Sequence, residues 1–205
     1  RPDSPDGKKI SPMVKFGLQI MSIGLLVEED TPMVWRGPMV TGALEQLLRD
    51  TLWKELDYLI VDLPPGTGDI QLTLSQKVPM TGAIIVTTPQ DISLIDAQKA
   101  LKMFEKVGVP ILGVLENMSV HLCEKCGHEE NIFGEGAGFK MSDIYDVELL
   151  GKLPLKTSIR AQTDAGNPPV VAEPGGVVAK KYTDIAMRVA IKISNLAKSK
   201  KNVFP

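Results

Sequence analysis

The sequence has few aromatic residues and almost no net charge. Aromatic residues make up 5% of the 205 residues, and the formal net charge is −2. Nucleic-acid binding is favoured by a basic field and by aromatic stacking platforms, and this composition offers neither. No apolar run approaches the roughly 20 residues that a membrane span needs. The sequence therefore predicts a protein with neither a nucleic-acid partner nor a membrane partner.

Cysteine is also scarce, since the chain contains only two. Two cysteines do not make a disulfide framework, and the polar N-terminal stretch RPDSPDGKK lacks the apolar segment of a secretory signal. We therefore expect a soluble protein of a reducing compartment, the cytoplasm or alternatively the mitochondrial matrix. The length suits one sizeable core, and we predict a single domain over residues 1–205.

The most informative stretch is Leu56–Asp69, with the sequence LDYLIVDLPPGTGD. An apolar or aromatic run, Tyr58–Val61, ends on Asp62 and is followed by a Pro-Pro-Gly turn. This pattern predicts a buried parallel strand with an acid at its carboxyl end, where open α/β sheets bind ligands. An Asp at this point can hold Mg²⁺, and the backbone N–H of Gly66 can contact a phosphate. The alternative is a buried strand with a polar end and a tight loop.

Strand-like and helix-like segments alternate along the chain. Short apolar runs predict strands, and apolar stripes at helical spacing predict helices. Right-handed crossovers between such strands make them parallel, with helices on both faces. We therefore predict an α/β fold with a doubly wound, mostly parallel sheet flanked by helices. The predicted strands are Leu18–Ser22, Tyr58–Val61, Gly82–Thr87, Ile111–Leu115 and Glu148–Leu153. The predicted helices are Thr41–Trp53, Ile70–Gln76, a helix that runs to Val107, Phe139–Tyr145 and Val177–Ala197. We expect Thr41 to be the N-cap of the first of these helices, and Asp91 or Ser93 to cap the third.

Cys123 and Cys126 form a C-x-x-C motif flanked by His121 and His128. This spacing lets two thiolates converge on one metal, and three interpretations compete. A thioredoxin-like redox pair normally opens a helix in a different context. A zinc site within one chain would need all four ligands from eight residues, which requires a very tight wrap. A site shared by two chains would supply four thiolates to zinc or to an iron–sulfur cluster, with both histidines as solvated neighbours.

Two further features lie near this motif. Asn117 follows a predicted strand, where an Asn is often a turn former but can also pair with adenine through its amide. The glycine-rich run Ile132–Gly138 suggests a phosphate loop, but it lacks the adjacent Gly-Lys-Ser/Thr. We interpret this run as a flexible turn that leads into the helix near Phe139–Tyr145.

The stretch LDYLIVDLPPGTGDIQLTL resembles the Walker B and switch II region of the Mrp/ApbC-type iron–sulfur carrier ATPases. These proteins belong to the MinD/ParA-like group of deviant P-loop ATPases. Three more stretches match the family, namely WRGPM at Trp35–Met39, VTTPQD at Val86–Asp91 and ENMS at Glu116–Ser119. The similarity runs from about Met21 to Ile185, with the motifs in the family's order.

The resemblance implies a P-loop NTPase-like fold and ATP-dependent carriage of iron–sulfur clusters. It implies that Asp62 organises Mg²⁺, that Gly66 reports the phosphate state, and that Asn117 reads adenine while Pro154 packs against the base. Arg36 would lie in a loop near the nucleotide or the dimer face and could meet a phosphate as a bidentate donor. The alternative for Arg36 is an exposed side chain in a turn.

The resemblance also implies that Cys123 and Cys126 hold half of a labile [4Fe–4S] cluster between two subunits, with residues 118–138 as a metal-binding insert. The partners would be a second copy of the chain and the apo iron–sulfur proteins that receive the cluster. Two other functions stay open. A ParA/MinD-like positioning ATPase would not need the cysteines, and a zinc-bridged, non-enzymatic scaffold would not respond to ATP.

One family motif, the phosphate loop G-x-x-x-x-G-K-[ST], does not occur in these residues. We expect the first strand of the sheet to be missing with it, and the chain to be the C-terminal portion of a longer protein. Alone, these residues should not hydrolyse ATP, whatever the intact protein does. The alternative is a natural, ATP-independent fragment that keeps only the metal site.

Overall fold

The computed structural model describes residues 2–4, 7–26, 37–63, 71–73, 75, 78–123 and 125–201. The chain divides into two compact units, Arg1–Val78 and Pro79–Pro205. Two residues with predicted phosphate contacts, Arg36 and Gly66, lie outside the described residues.

The first unit begins with a hairpin. Strands β1 (Met13–Lys15) and β2 (Leu18–Ile20) pair antiparallel, and the turn between them places Phe16 and Gly17 at φ +54° and +77°. A strand was predicted at Leu18–Ser22, and β2 confirms it in shortened form. Among the described residues its strand partner is β1, so it is part of a hairpin. The strand ends early because Ser22 caps the short 3₁₀ helix Ile23–Leu25 by accepting the Gly24 N–H.

Helix α1 (Gly37–Arg49) is shifted towards the N-terminus relative to the predicted helix Thr41–Trp53. Thr41 lies inside the helix, so its predicted role as N-cap is wrong. The helix ends early because the backbone after it pairs with Ile10. Ile10 N–H donates to the Asp50 carbonyl at 2.8 Å, and Leu52 N–H donates to the Ile10 carbonyl at 2.8 Å. Further along the chain, residues 71–73 and 75 are helical, as predicted for this segment.

The predicted buried strand Tyr58–Val61 is wrong. Tyr58, Leu59 and Ile60 are 56%, 46% and 90% exposed, and none of the described residues forms a strand pair with this segment. A strand is stable only when neighbours satisfy its backbone N–H and C=O groups and cover its side chains. The apolar composition is suited to a strand, but the described structure supplies no neighbour for it.

The second unit contains a three-stranded parallel sheet in the order β3 (Ala83–Thr87), β4 (Ile111–Glu116), β7 (Leu149–Lys152), flanked by helices. This confirms the predicted α/β architecture. The predicted strands at Gly82–Thr87, Ile111–Leu115 and Glu148–Leu153 correspond to β3, β4 and β7. The elements in chain order are β3 (Ala83–Thr87), α2 (Asp91–Lys106), β4 (Ile111–Glu116), β5 (His121–Leu122), β6 (Glu129–Glu130), α3 (Ala137–Tyr145), β7 (Leu149–Lys152), α4 (Thr157–Asp164), α5 (Pro169–Ala172) and α6 (Val177–Lys201).

The core of this unit lies between the sheet and its helices. Leu101 of α2, Val114 of β4 and Met141 of α3 are 0% exposed. Burying each such side chain stabilises the fold by about 1.5–3 kcal/mol. Among the described strands, β3 lies at the edge of this sheet, and two side chains on one of its faces, Ile84 and Val86, are 40% and 55% exposed. Among the described residues, no helix is both long enough and apolar enough to cross a bilayer.

Helix α6 is joined to the start of β7 by a pair of charge contacts. Lys192 Nζ lies 2.8 Å from Glu148 Oε2, and Arg188 Nη1 lies 3.3 Å from Glu148 Oε1. The hydrogen bond from Lys192, helped by its charge and by Arg188, lowers the pKa of Glu148 below its ordinary value of 4.5, although partial burial opposes this shift. The ionised carboxylate therefore stabilises the packing of α6 on the sheet.

We predict that Glu148→Gln lowers the free energy of unfolding at neutral pH by about 0.5 kcal/mol, a small value because the pair is solvent-screened. The folded-state pKa is depressed, so the stabilisation is present above pH 4.5 and is lost as the pH falls through the folded value. Urea unfolding across pH 3–7 should therefore show the variant and the parent chain converging in acid. Glu105→Gln is the control, because Glu105 has no ion pair within the described part of the chain. A constant difference at every pH would contradict this account.

Gly113 lies in β4 where the strand pairing is irregular. Its φ is +151°, and an added Cβ would lie 2.6 Å from the carbonyl oxygen of Glu148 and 2.6 Å from Cγ of Leu150. The first of these atoms belongs to the backbone immediately before β7, which is hydrogen-bonded to Val114 of β4 and cannot easily move aside. Only a glycine therefore lets β4 and β7 approach this closely.

We predict that Gly113→Ala lowers the free energy of unfolding by about 1–3 kcal/mol, the usual range for overpacking. Gly175→Ala is the matched control, because an added Cβ there would meet no atom within 4 Å. Urea unfolding followed by circular dichroism measures both variants. Equal losses in the two variants would show that the contact with Glu148 does not matter.

Candidate functional site

The carboxyl ends of the three parallel strands meet at one edge of the sheet. β3, β4 and β7 end at Thr87, Glu116 and Lys152, which are cross-strand neighbours in the register. Asn117 directly follows β4, and Pro154 follows β7 by two residues. The structure therefore brings the two residues predicted to contact adenine to the same edge.

Asn117 is held firmly at this edge. Its backbone N–H donates to the Thr87 carbonyl at 2.8 Å, and its Oδ1 accepts the Met118 N–H at 2.9 Å. Met118 adopts a left-handed φ of +53°, so the chain turns directly after Asn117. Within the described residues, Nδ2 of Asn117 donates no hydrogen bond. The side chain thus retains a donor for a ligand, with an acceptor oxygen beside it.

Pro154 is buried within a paired segment that follows β7. Leu153 N–H donates to the Glu116 carbonyl at 2.9 Å, and Leu155 N–H donates to the Val120 carbonyl at 2.8 Å. The residues on both sides of Pro154 are therefore bonded to the segment that contains Asn117. The contact of Asn117 and Pro154 with a base stays a prediction.

The carboxyl end of β3 carries a small polar cluster. Ser93 Oγ accepts the Thr88 N–H at 3.0 Å and lies 3.3 Å from Thr87 Oγ1. Helix α2 begins at Asp91 and its N-cap position is Gln90, so the prediction that Asp91 or Ser93 caps the helix is wrong for both residues. The hydroxyl of Ser93 instead fixes the turn between β3 and α2.

Glu116, the last residue of β4, is a buried carboxylate that the sequence did not single out. It is 1% exposed, its Oε2 accepts the Gly138 N–H at 2.6 Å, and its Oε1 lies 3.5 Å from Lys152 Nζ. Lys152 Nζ also lies 4.4 Å from the ring centroid of Phe139. The signal that could have found Glu116 is the one used for Asp62, a carboxylate directly after an apolar strand.

The glycine-rich run leads into α3, which confirms the interpretation as a turn before a helix. Gly136 precedes the helix with a φ of +77°. A Cβ on Gly138 would lie 2.8 Å from Leu149 Cδ1 and 3.1 Å from Glu116 Cβ, so a glycine is required there. The N-terminal turn of α3 binds the Glu116 carboxylate, which is the kind of anion that a helix N-terminus favours.

The two cysteines lie at the tip of the antiparallel hairpin β5–β6. Cys123 N–H donates to the His128 carbonyl at 3.0 Å, and Gly127 N–H donates to the Cys123 carbonyl at 2.8 Å. Gly127 has a φ of +71°, which closes the turn. Cys123 is half-buried, Cys126 is exposed, and the two do not form a disulfide. The hairpin therefore presents two thiols on a short, hydrogen-bonded turn.

Other metal ligands are scarce around the thiols. In the part of the chain that the structure describes, no group of three or more His, Cys, Asp or Glu side chains could hold a metal ion. His128 is exposed, as predicted, but His121 is half-buried and its Nδ1 is buried without a hydrogen-bond partner among the described residues. The prediction that His121 is solvated is therefore wrong, because β5 pairs with β6 on one side and with Leu155 on the other.

Asp62, the predicted Mg²⁺ residue, lies in the first unit, and its side chain is exposed. Arg36 lies outside the described residues, and so does the switch segment Pro64–Asp69, which contains Gly66. The roles of these residues towards phosphate and Mg²⁺ therefore stay predictions.

Comparison with known proteins identifies relatives over nearly the whole chain. An "Iron-sulfur cluster carrier protein" from Haemophilus influenzae is 53% identical over 193 residues, which are 94% of this chain and 52% of that protein. The mouse "Iron-sulfur cluster transfer protein NUBPL" is 48% identical over 95% of this chain and 61% of that protein. The chain thus spans between half and two thirds of the length of these relatives.

Solved structures agree with the fold. A nucleotide-binding protein from Archaeoglobus fulgidus, determined in complex with ADP, has a TM-score of 0.69 and 31% identity, covering 86% of this chain and 67% of that chain. The Pyrococcus furiosus cell division ATPase MinD has a TM-score of 0.55 at 22% identity, covering 76% of this chain and 58% of that chain. At this low identity, the similarity to MinD shows a shared P-loop NTPase fold and nothing about function.

The family model described as "ParA: NUBPL iron-transfer P-loop NTPase" matches residues 2–190. This match covers far more than half of the 205 residues and includes every stretch on which the resemblance was based. The chain therefore belongs to the family of NUBPL-type iron-transfer P-loop NTPases.

Proposed function

We propose that this chain belongs to a protein that binds an iron–sulfur cluster and transfers it to apo-proteins in an ATP-dependent manner. The observation that carries the proposal is the pair of thiols, Cys123 and Cys126, at the tip of a short hairpin. The names of the bacterial and mouse relatives, which describe a cluster carrier and a cluster transfer protein, support it.

The cluster would be a [4Fe–4S] cluster shared by two copies of the chain. Such a cluster needs four thiolates, and each chain offers two. Among the described residues no third ligand group joins them. A twofold axis beside the hairpin would bring the missing pair of thiolates from an identical chain. The homodimer is therefore part of the proposal.

Transfer requires that the ligands of the cluster be exchanged. Each carrier thiolate on iron is replaced by a thiolate of the apo iron–sulfur protein, so the iron keeps its coordination number and no electron is transferred. The leaving thiolate takes up the proton that the incoming thiol released. This exchange needs access to the thiols, and Cys126 is exposed at the hairpin tip.

The nucleotide would bind with its base at the carboxyl edge of the sheet. Nδ2 of Asn117, which makes no hydrogen bond within the described residues, would donate to adenine, and Pro154 would pack against the base. Arg36 and Gly66 would contact the phosphates. The nucleotide would bias the dimer through the switch segment that begins at Pro64, and slow hydrolysis would suffice for such switching.

Mg²⁺ would be held by Asp62. The side chain of Asp62 is exposed, and one carboxylate is the kind of ligand that Mg²⁺ uses when phosphates and waters complete its shell. When bound, the ion would neutralise charge on the phosphates. Asp62 would orient it, mostly through water.

We place the protein in the cytoplasm, with the mitochondrial matrix as the alternative. Bacterial carriers are among the relatives, and so is an Arabidopsis thaliana protein named "Iron-sulfur protein required for NADH dehydrogenase, mitochondrial", which is 44% identical over 98% of this chain. The recipients would be apo iron–sulfur proteins of the same compartment.

We predict that anaerobic reconstitution with iron and sulfide loads about two irons and two sulfides per chain in a dimer, since four of each are shared by two chains. Cys123→Ser/Cys126→Ser should lose both, because a hydroxyl does not replace a thiolate ligand. His128→Asn is the matched control at the same hairpin and should keep the full load. Iron, sulfide and oligomeric state are measured on the same sample.

Two outcomes would replace the proposal with another function. Cysteine-dependent zinc without sulfide, and no response to ATP, would indicate a zinc-bridged scaffold. An ATP-dependent association with membrane or DNA that survives the double substitution would indicate a positioning ATPase of the ParA/MinD type.

A further inference from the structure

We propose that Ser119 is a positioning residue that fixes the cysteine hairpin to the carboxyl edge of the sheet, so that ligands at the thiols and at this edge are coupled. The inference rests on the proposed function in one respect, that Cys123 and Cys126 bind the metal. All the contacts that support it lie within Pro79–Pro205.

The segment from β4 to the hairpin is paired along its length with the segment after β7. Leu153 N–H donates to the Glu116 carbonyl, Ser119 N–H donates to the Leu153 carbonyl, and Leu155 N–H donates to the Val120 carbonyl. His121 then forms a parallel bridge with Leu155. We call this paired stretch, residues 116–121 with 153–155, the edge ladder. It ends two residues before Cys123.

Ser119 is the one residue of the edge ladder that binds its partner segment through both its backbone and its side chain in the described structure. Its N–H lies 2.9 Å and its Oγ lies 3.1 Å from the same acceptor, the Leu153 carbonyl oxygen. The residue is 8% exposed, so water does not compete for these bonds. Both bonds end on the residue immediately before Pro154.

Within the described residues, the other backbone pairing of the hairpin is internal. β5 and β6 pair with each other over two residues each, and Cys123 and Gly127 are hydrogen-bonded within the hairpin turn. The position of the thiols relative to Asn117 and Pro154 is therefore set by the edge ladder. A shift of the edge ladder at Ser119 therefore changes the position of the thiols and that of Asn117 and Pro154 together.

Coupling between binding at the thiols and binding at the carboxyl edge must be reciprocal. A metal that orders the thiols stabilises the edge ladder, and any ligand that stabilises the ladder at Pro154 strengthens metal binding by the same factor. Coupling through the edge ladder differs from coupling through the switch segment that begins at Pro64. The edge ladder lies in the second unit, and its coupling can be tested with a metal alone.

The first test is a Co²⁺ titration of the full 205-residue chain, followed by the thiolate-to-cobalt charge-transfer band. Ser119→Ala should weaken Co²⁺ binding about fivefold, the value of one lost hydrogen bond. Ser142→Ala is the matched control, because Ser142 Oγ also donates to a backbone carbonyl, that of Val147, at 2.6 Å. Ser142→Ala should lower the free energy of unfolding similarly but leave Co²⁺ affinity unchanged.

The second test needs no variant at the ladder. Hydrogen exchange of the parent chain is measured with and without Co²⁺. Loading should slow exchange at the amides of Ser119, Leu153 and Leu155, and it should leave unchanged the Ala165 amide, which donates to the Ala161 carbonyl in another part of the unit. In Cys123→Ser/Cys126→Ser, Co²⁺ should protect none of these amides.

The outcomes separate this inference from the proposed function. If the parent chain shows no thiolate band with Co²⁺, the metal site and the inference fail together. If the band appears, but Ser119→Ala binds Co²⁺ as well as Ser142→Ala does, only the inference is overturned. Protection confined to the hairpin would also overturn it, even with the metal site intact.

Discussion

The carboxyl edge of the sheet depends on the buried carboxylate of Glu116. A charge that is 1% exposed is costly to bury unless hydrogen bonds and an opposite charge compensate it. Here the Gly138 N–H and Lys152 Nζ do so, which ties the start of α3 and the end of β7 to the end of β4. The next residue along the chain is Asn117. The residue proposed to read the base is thus adjacent to a buried side chain that is fixed by two contacts.

The elements that sequence patterns predicted correctly are those whose partners lie nearby in the chain. The strands β3, β4 and β7 are apolar runs separated by helices, so each finds its neighbour through one crossover. The segment Tyr58–Val61 has the same composition but no strand neighbour in the described structure. The end of α1 was misplaced for a related reason, since it is set by pairing with Ile10, about 40 residues earlier. Composition alone does not contain this information.

The same distinction between local and distant partners applies to the residues of the candidate site. The C-x-x-C motif was recognisable because its chemistry is local, and Asn117 and Pro154 were recognisable through the family's motifs. Ser119 lies in the ENMS stretch, but the role proposed for it was not predictable, because it depends on the carbonyl of Leu153, 34 residues away in the chain. The buried Nδ1 of His121 was likewise unpredictable, since it results from pairing with Leu155. Residue types can be read from sequence, whereas burial and distant backbone partners require the fold.

The two thiols at the hairpin tip are not equivalent. Cys126 is exposed, whereas Cys123 is half-buried and its backbone is bonded to both His128 and Gly127. A thiol or oxidant that approaches from solvent therefore has readier access to Cys126 than to Cys123. In the proposed transfer, ligand exchange at this pair would have an order, in which Cys126 would leave the metal first and Cys123 would follow once a second incoming thiolate is in place.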